Sequence, residues 1–399
     1  MTSTGMQSDD VLERARAYRR EVIEPLEPHV REWIADEKER FPWEAVEIGS
    51  RLGFKSLSVE ERFGGGGGSK VQQVQVIEEL AAGDMGIAVI FDQCMKIAAF
   101  IGGRASDEQK ERFLRPFTED PRMLLTLANN DVDHTTDWHL SKRLTEVEGR
   151  PMEMSTTAVQ DGDHWIINGA KLMPSLASTA SLAVVLAQTE PGLPMHLGAS
   201  YFLVPMDTPG VRISKTWDKI SQRLVDNATI VLEDCRIPDA NMVGGRGAQK
   251  GNPFIAGGNI TAGATTIGSA RGAYERAVAY ARERIQGGRP IIEHQSVGLM
   301  LGEMASRLEA ARSLTLRAAE AYDAGERATP LQQMSKWFAA ETAVIVCQRA
   351  MEVLGHRGIM MDEPVQKHMR DCLSFLHSDG TQQGRLMLIQ QAMLDGRLP

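Results

Sequence analysis

The spacing of apolar residues changes twice along this chain, and those two changes bound the fold more tightly than any single motif. From Asp9 to about Pro121 apolar residues recur at helical spacing: DVLERARAYRREVI follows an Asp cap, VQQVQVIEELA repeats the pattern, and SDEQKERFL opens on Ser106. From about Met123 to Gly244 the period falls to two. β-rich runs at STTAV, HWIIN, LAVVLA, SYFLV and ATIVL are separated by turn pairs such as Asp161-Gly162 and Pro209-Gly210. After Gly258 helical spacing returns, and Val297, Leu301, Met304, Leu308 and Ala311 form one apolar stripe of a helix predicted over 293–324. Further helices are predicted over 332–354 and 365–376. Helix, sheet and helix in separate blocks predict an α+β chain of three regions, 1–122, 123–244 and 245–399, and argue against a doubly wound nucleotide-binding fold.

A chain of 399 residues, 42% hydrophobic and 24% charged, has ample material for a core without disulfides. Its four cysteines, Cys94, Cys235, Cys347 and Cys372, form no Cys-x-x-Cys pair and have no His at ligand spacing. They read as reduced, mostly buried thiols, with no metal site expected. The net charge of -9 and the scattered Lys and Arg leave no basic track for a nucleic acid. The opening residues MTSTGMQSDD lack a charged head before an apolar run, and no apolar stretch approaches the roughly 18 residues that span a bilayer. The expectation is a cytoplasmic protein with no membrane partner.

Few short motifs carry chemistry. Gly64 to Lys70, GGGGGSK, lacks the Gly-Lys-Ser/Thr ending of a phosphate loop and reads as a flexible turn. No His-Glu-x-x-His, Gly-x-Ser-x-Gly or full Gly-x-Gly-x-x-Gly occurs, so metalloprotease, hydrolase and Rossmann readings have nothing to stand on.

Five segments, in order, resemble the acyl-CoA dehydrogenase family and together span most of residues 10–395. They are TTAVQDGDHWIINGAK, ISQRLVDNATIVLEDCRIPDANMVG, ARERIQGGRPIIEHQ, LGHRGIMMDEPVQKHMRD and HSDGTQQ. The resemblance implies an N-terminal helical domain, a middle β-barrel and a C-terminal four-helix bundle. It implies FAD as cofactor, an acyl-CoA or other acyl thioester as substrate, electron-transferring flavoprotein as acceptor, and a homodimer or homotetramer that completes the FAD site between subunits.

The resemblance also assigns residues. Asp379 falls where the family's catalytic Glu of Glu-Gly-Thr stands, as the base that removes the proton next to the thioester carbonyl. Asp is shorter than Glu by one C–C bond, about 1.5 Å, which points away from a standard fatty acyl geometry; since some relatives with Asp here act on cyclic acyl-CoA substrates, the resemblance implies a cyclic, branched or specialised-pathway acyl group. As a buried base it is expected to have a raised pKa; the alternative is an Asp-Gly turn cap. Arg284 and Gln295 are implied for the pyrophosphate and adenosine side of FAD, with Glu352, Gly355 and Gly358 at the Leu-Gly-x-x-Gly turn and Thr381 and Gln383 near the flavin. The glycines also read as helix-end caps, and Thr381 as a polar helix start.

The chain departs from the family's pattern beside the flavin. NNDVDHTTD replaces Thr-Glu-Pro-x-Ala-Gly-Ser-Asp, matching only at Thr136 and Asp137, with Asn130 in place of the flavin-facing Thr. Met173-Pro174-Ser175 replaces Trp-Ile-Thr, so Met173 and Ser175 are the implied flavin contacts. Gly287 replaces a Phe and Asn259 an Arg. The stretch WHLSKRLTEVEGRPMEMS over 138–155 is longer than the family's usual connection, and His134 and His139 before and within it read as solvated loop histidines or acid–base groups. Two other readings stay open: a flavin oxidase or monooxygenase on the same fold, and a decayed partner subunit of a heteromeric dehydrogenase.

Overall fold

The computed structural model describes residues 5–7, 9–26, 41–133, 146–147, 150–247, 257–326 and 330–398. The first block is helical. α1 (Val11–Tyr18) is capped by Asp10, whose carboxylate accepts from the Leu12 N–H. α2 (Trp43–Arg51) follows, then α3 (Lys70–Gly83), α4 (Met85–Arg104) and α5 (Asp107–Glu119). α3 and α5 each start on a capping box, Ser69 with Gln72 and Ser106 with Gln109, so side chains satisfy amides that have no partner within the helix.

The Gly64–Gly68 run is a loop, but a packed one. The N–H groups of Gly65, Gly66, Gly67 and Gly68 donate to the carbonyls of Glu60, Ser56, Val59 and Leu57. A Cβ at Gly65 would lie 2.2 Å from the Val59 carbonyl oxygen. The flexible turn read from composition is thereby corrected: these amides face their own chain and offer nothing to a phosphate. A second correction concerns α4, whose 20 residues are long and apolar enough to cross a membrane by length and composition. Here most of that helix is buried among its neighbours.

The middle block forms one eight-stranded sheet and a two-strand ribbon, β2 (Glu146–Val147) with β3 (Arg150–Pro151). The sheet strands are β1 (Leu125–Ala128), β4 (Thr157–Asp161), β5 (His164–Lys171), β6 (Leu182–Gln188), β7 (Ala199–Pro205), β8 (Val211–Thr216), β9 (Ala228–Pro238) and β10 (Met242–Val243). Their order is β10-β7-β6-β4-β5-β9-β8, with β1 parallel to β6. The expected barrel does not close among the described residues: β6 shares one edge between β1 and a single pairing to β4, Gln188 with Thr157, and β8 and β10 have one neighbour each. β6 explains why the run LAVVLA has no polar alternation. Leu182, Val184 and Leu186 enter the helical core while Ala183, Val185 and Ala187 enter the sheet's own core, so both faces are buried.

The last block comprises α6 (Gly258–Glu283), α7 (Gln295–Asp323), α8 (Leu331–Leu354), α9 (Pro364–Ser374) and α10 (Gln382–Leu394). The predicted stripe on α7 faces inward: Leu301, Met304, Leu308 and Ala311 are buried and Val297 is half-buried. All four cysteines are free and buried, and Cys347 of α8 faces Cys372 of α9 with sulfurs 3.7 Å apart. α6 crosses α3 with almost no side chain between them. A Cβ at Gly268 would lie 2.3 Å from the Glu78 carbonyl oxygen, and one at Gly272 equally close to that of Ala82. Arg271 donates to Glu79 at 2.7 Å across the same seam. His368 of α9 packs on Gly272 and pairs with the Ser269 hydroxyl at 2.9 Å.

Two expectations follow. Gly268→Val pushes a side chain into the Glu78 carbonyl and lowers stability by about 1–3 kcal/mol; a denaturant midpoint equal to the parent's would contradict the close crossing. Burial, with Lys367 alongside, pushes His368 down to about 3, so the fold holds it neutral while the unfolded chain takes up a proton near 6.5. Its share of stability is complete above that value and drains away as pH falls toward about 3. His368→Gln should therefore flatten the pH dependence of unfolding just below 6.5, as read by thermal melts.

Candidate active site

The three blocks meet around a cavity of about 370 Å³. Val89, Gln93 and Lys96 reach it from one face of α4, at steps of four and three residues. Asn129 and Asn130 enter after β1, Met173 to Ser175 after β5, and Lys219 to Gln222 from the β8–β9 connection. The α9–α10 loop closes the far side with His377, Ser378, Asp379 and Gly380. Among the described residues five non-glycine positions have left-handed backbone, and three of them, Met173, Gln222 and Asp379, line this one cavity; Leu176 stands beside it. Such conformations persist only where the surroundings impose them, and they gather at working sites.

The walls are built from buried polar contacts. Lys171 and Asp131 pair at 3.2 Å, both fully buried, and Asp131 also accepts from the Thr156 N–H at 2.9 Å. This is what the Lys of the Asn-Gly-x-Lys segment does: it pins the strand end that carries Asn129 and Asn130. Alongside, the Asn227 amide donates to the Met173 carbonyl at 2.6 Å and to the Ser175 hydroxyl at 3.2 Å, and accepts from Lys219. Burial pushes Lys219 down to about 8 against the pull of Asp226 and Asp371. Gln222 straps this loop to α9, its N–H donating to Asp371 and its amide to Ser374, both at 2.6 Å. Asn129 is different: it is buried, it faces the cavity, and neither its amide nitrogen nor its amide oxygen has a partner.

Asp379 is held from three sides. Its Oδ2 accepts from Lys96 at 2.8 Å, a contact spanning 283 residues of sequence. Lys336 of α8 donates to the carbonyls of Phe375 and Gly380 at 2.6 and 2.8 Å and to Gln382 at 3.0 Å, which fastens the loop on both sides of Asp379. The Arg385 guanidinium lies against Gly380, where a Cβ would collide with it, and φ of 88° at Gly380 independently requires glycine. Asp379 and Gly380 both take left-handed backbone at a turn, as the Asp-Gly reading has it, while the Asp379 carboxylate reaches out of that turn to Lys96. The expectation of a raised pKa is corrected. Burial raises it, but Lys96, with Lys336 and Arg385 behind it, pulls the carboxyl below the usual carboxylate range.

The other residues named from sequence separate into groups. Asn130, Met173, Ser175 and Asp379 converge on the first cavity. Arg284, Glu352 and Gly355 converge on a second cavity of about 690 Å³, beside Arg357, His294 and His356, and no residue lines both. Gln295 is exposed at the start of α7 between two residues of that second lining. Glu352 is engaged within α8, accepting from Arg349 at 2.7 Å. Gly355 ends α8 with φ of 61° and open space beside it, whereas Gly358 packs on Met351 and is a spacing glycine. Thr381 and Gln383 line neither cavity: the Thr381 hydroxyl caps α10 by accepting from the Gly384 N–H, and Gln383 is exposed. Thr136, Asp137, His134 and His139 lie outside the described residues. Sequence reasoning misses Asn129, Lys219, Lys336 and the Asp92–Lys96 pair; only the last left a signal, two charges four residues apart in an apolar helix.

Comparison with known proteins adds the remaining argument. The acyl-CoA dehydrogenase N-terminal, middle and C-terminal domain models match residues 8–120, 145–235 and 245–394. The human mitochondrial short-chain specific acyl-CoA dehydrogenase is 30% identical over 97% of this chain and 89% of its own. The caffeyl-CoA reductase-Etf complex subunit CarC of Acetobacterium woodii is 29% identical over 90% and 92%. The structure of butyryl-CoA dehydrogenase from Megasphaera elsdenii superimposes with a TM-score of 0.86 at 28% identity, covering 98% of each chain. With all three domains matched in order and the same architecture around one cavity, this chain belongs to the acyl-CoA dehydrogenase family.

Proposed function

We propose that Asp379 is the base for α,β-dehydrogenation of an acyl thioester in the 370 Å³ cavity, and that the acyl group is cyclic, branched or otherwise outside the ordinary fatty series. The observation that carries the reading is a carboxylate on the cavity wall whose Oδ2 is held by Lys96, which favours its ionised form, and whose Oδ1 has no hydrogen bond among the described residues. Family membership makes the chain an FAD-dependent oxidoreductase acting on CH–CH groups.

The residues present fit that cofactor. Asn129 offers an unsatisfied amide donor and acceptor side by side in a buried wall, the complement of an imide edge such as a flavin's. Leaving them unmet would cost about 1–3 kcal/mol for each group. Asn130, Met173 and Ser175 extend the same wall, and the arginines and histidines of the second cavity suit pyrophosphate oxygens. FAD, when bound, supplies the hydride acceptor. Asp379 then takes the proton next to the thioester carbonyl on Oδ1, while Lys96, Lys336 and the glycine turn keep the carboxylate from swinging away.

Separation of the two linings within one chain supports a homodimer or homotetramer in which one copy's second cavity serves the FAD of another. The name of CarC, a subunit of a complex with Etf, supports electron-transferring flavoprotein as acceptor. Met173, 47% exposed where the family pattern has Trp, favours a second reading, a flavin oxidase with oxygen access.

Asp379→Asn should retain FAD yet reduce it about 10²–10⁴-fold more slowly with a panel of acyl-CoA thioesters; normal bleaching of the flavin would remove Asp379 from the role. Asn129→Leu should weaken FAD retention roughly tenfold, the loss of about one net hydrogen bond, as followed by flavin absorbance on titration of the apoprotein. Reduced protein that reoxidises rapidly in air would favour the oxidase.

A further inference from the structure

α4 runs through the helical core, and two charges sit inside it. The Asp92 side chain is 0% exposed and that of Lys96 4%, with the Lys96 nitrogen 2.6 Å from Asp92 Oδ2 and 2.8 Å from Asp379 Oδ2. A buried ion pair rarely adds stability over apolar residues of similar size, because desolvation offsets the attraction. Its position therefore calls for another account. Asp92 lines neither of the two cavities described above, whereas Lys96 and Asp379 both line the first.

We infer that Lys96 is the positioning residue of Asp379: Asp92 anchors the ammonium from behind, and the ammonium fixes Oδ2 so that Oδ1 remains for the substrate proton. This rests on the reading of Asp379 as base. The arrangement runs in one direction, from a side chain with no exposure through a nearly buried one to a carboxylate whose side chain is 20% exposed. It also meets a difficulty set by the backbone. Asp379 stands in left-handed conformation on a loop, with a short side chain, and among the described residues nothing local bonds its carboxylate. The one contact that orients it comes from the N-terminal block.

Other charged groups face this cluster and have partners of their own. Lys336 approaches from α8 and donates to three oxygens, although burial, Arg385 and Lys96 push it down to about 7. Arg385 of α10 donates to Gln333 at 2.7 Å. Lys70 of α3, beside Asp92, donates to Gln73 at 2.6 Å and is pushed down to about 8 by burial. Glu341 accepts from Gln382, behind Lys336, and His377 lines the cavity from the same loop as Asp379. Lys96 alone among the described residues makes a direct ion pair with Asp379.

The sign of the effect follows. With Lys96 present, Asp379 stays ionised as pH falls until below the usual carboxylate range. Without it, protonation sets in at higher pH, and the acid limb of the rate profile moves up. The test uses holoenzyme with isotope-labelled aspartate, titrated by NMR with Asp379→Asn to assign the signal, and flavin reduction across pH by isobutyryl-CoA, a branched acyl thioester. Lys96→Met is combined with Asp92→Asn so that no buried carboxylate is stranded. In that variant the Asp379 midpoint should rise by about one unit or more, tenfold or more in proton affinity. The limiting reduction rate should fall on the order of 10²-fold while KM changes little, and Lys96→Arg should restore part of both. An unmoved Asp379 midpoint in the double variant overturns the inference whatever the rate does. Full flavin reduction by Asp379→Asn would instead remove the base reading, while the titration still decides whether Lys96 governs the carboxylate.

Discussion

The near-contact of α6 with α3 is the constraint on which the site depends. Gly268 and Gly272 let two backbones meet at distances no side chain would permit, and that crossing docks the C-terminal helices on the N-terminal ones. The Lys96–Asp379 pair joins the same two blocks and has no tolerance for a shift of a helical turn. A small-residue seam far from the chemistry thus sets the register of the acid at the cavity. The sheet is located by the same logic. β6 gives alternate side chains to the helical core and to its own, so the strand ends carrying Asn129 and Met173 are fixed against α4 and α9.

Charge within the site is distributed unevenly, and the imbalance has a chemical sense. Asp379 faces three basic groups while Asp92 is sealed behind one of them, so the half-buried carboxylate is held toward its ionised form and the hidden one is raised by burial. A carboxylate so stabilised is a weaker base than an isolated buried one, which trades driving force for orientation. Asn129 shows the complementary situation, a buried amide with neither atom satisfied, whereas Asn227 and Gln222 of the same cavity are bonded. Positions that break the ordinary rules of burial and backbone conformation coincide here, as expected where structure serves a ligand.

Much of the secondary structure was legible because it rests on local periodicity and capping. Ser106 and Asp10 begin helices, the stripe from Leu301 to Ala311 is buried, and four of the five β-rich runs lie wholly in strands, STTAV entering β4 only from Thr157. β1 and β8 were not legible: LTLA is short and VRISKT alternates no apolar face. Of the site, Asp379, Asn130, Met173 and Ser175 could be placed by resemblance. Asn129, Lys336 and Lys219 could not, since a polar residue in a sequence does not disclose whether it will be buried or what it will meet.

The sequence by itself determined the order of helical and β blocks, the family, and an acid at position 379, because these depend on residue types and their spacing along the chain. The tertiary structure alone decided that the acid is ionised rather than protonated, that its partner is Lys96, and that the Arg284 and Asp379 groups occupy separate cavities. The physical reason is range. Caps and periodicity act over a few residues, whereas the electrostatics of a buried carboxyl are set by whichever charges the fold brings within a few ångströms, here from 283 residues away.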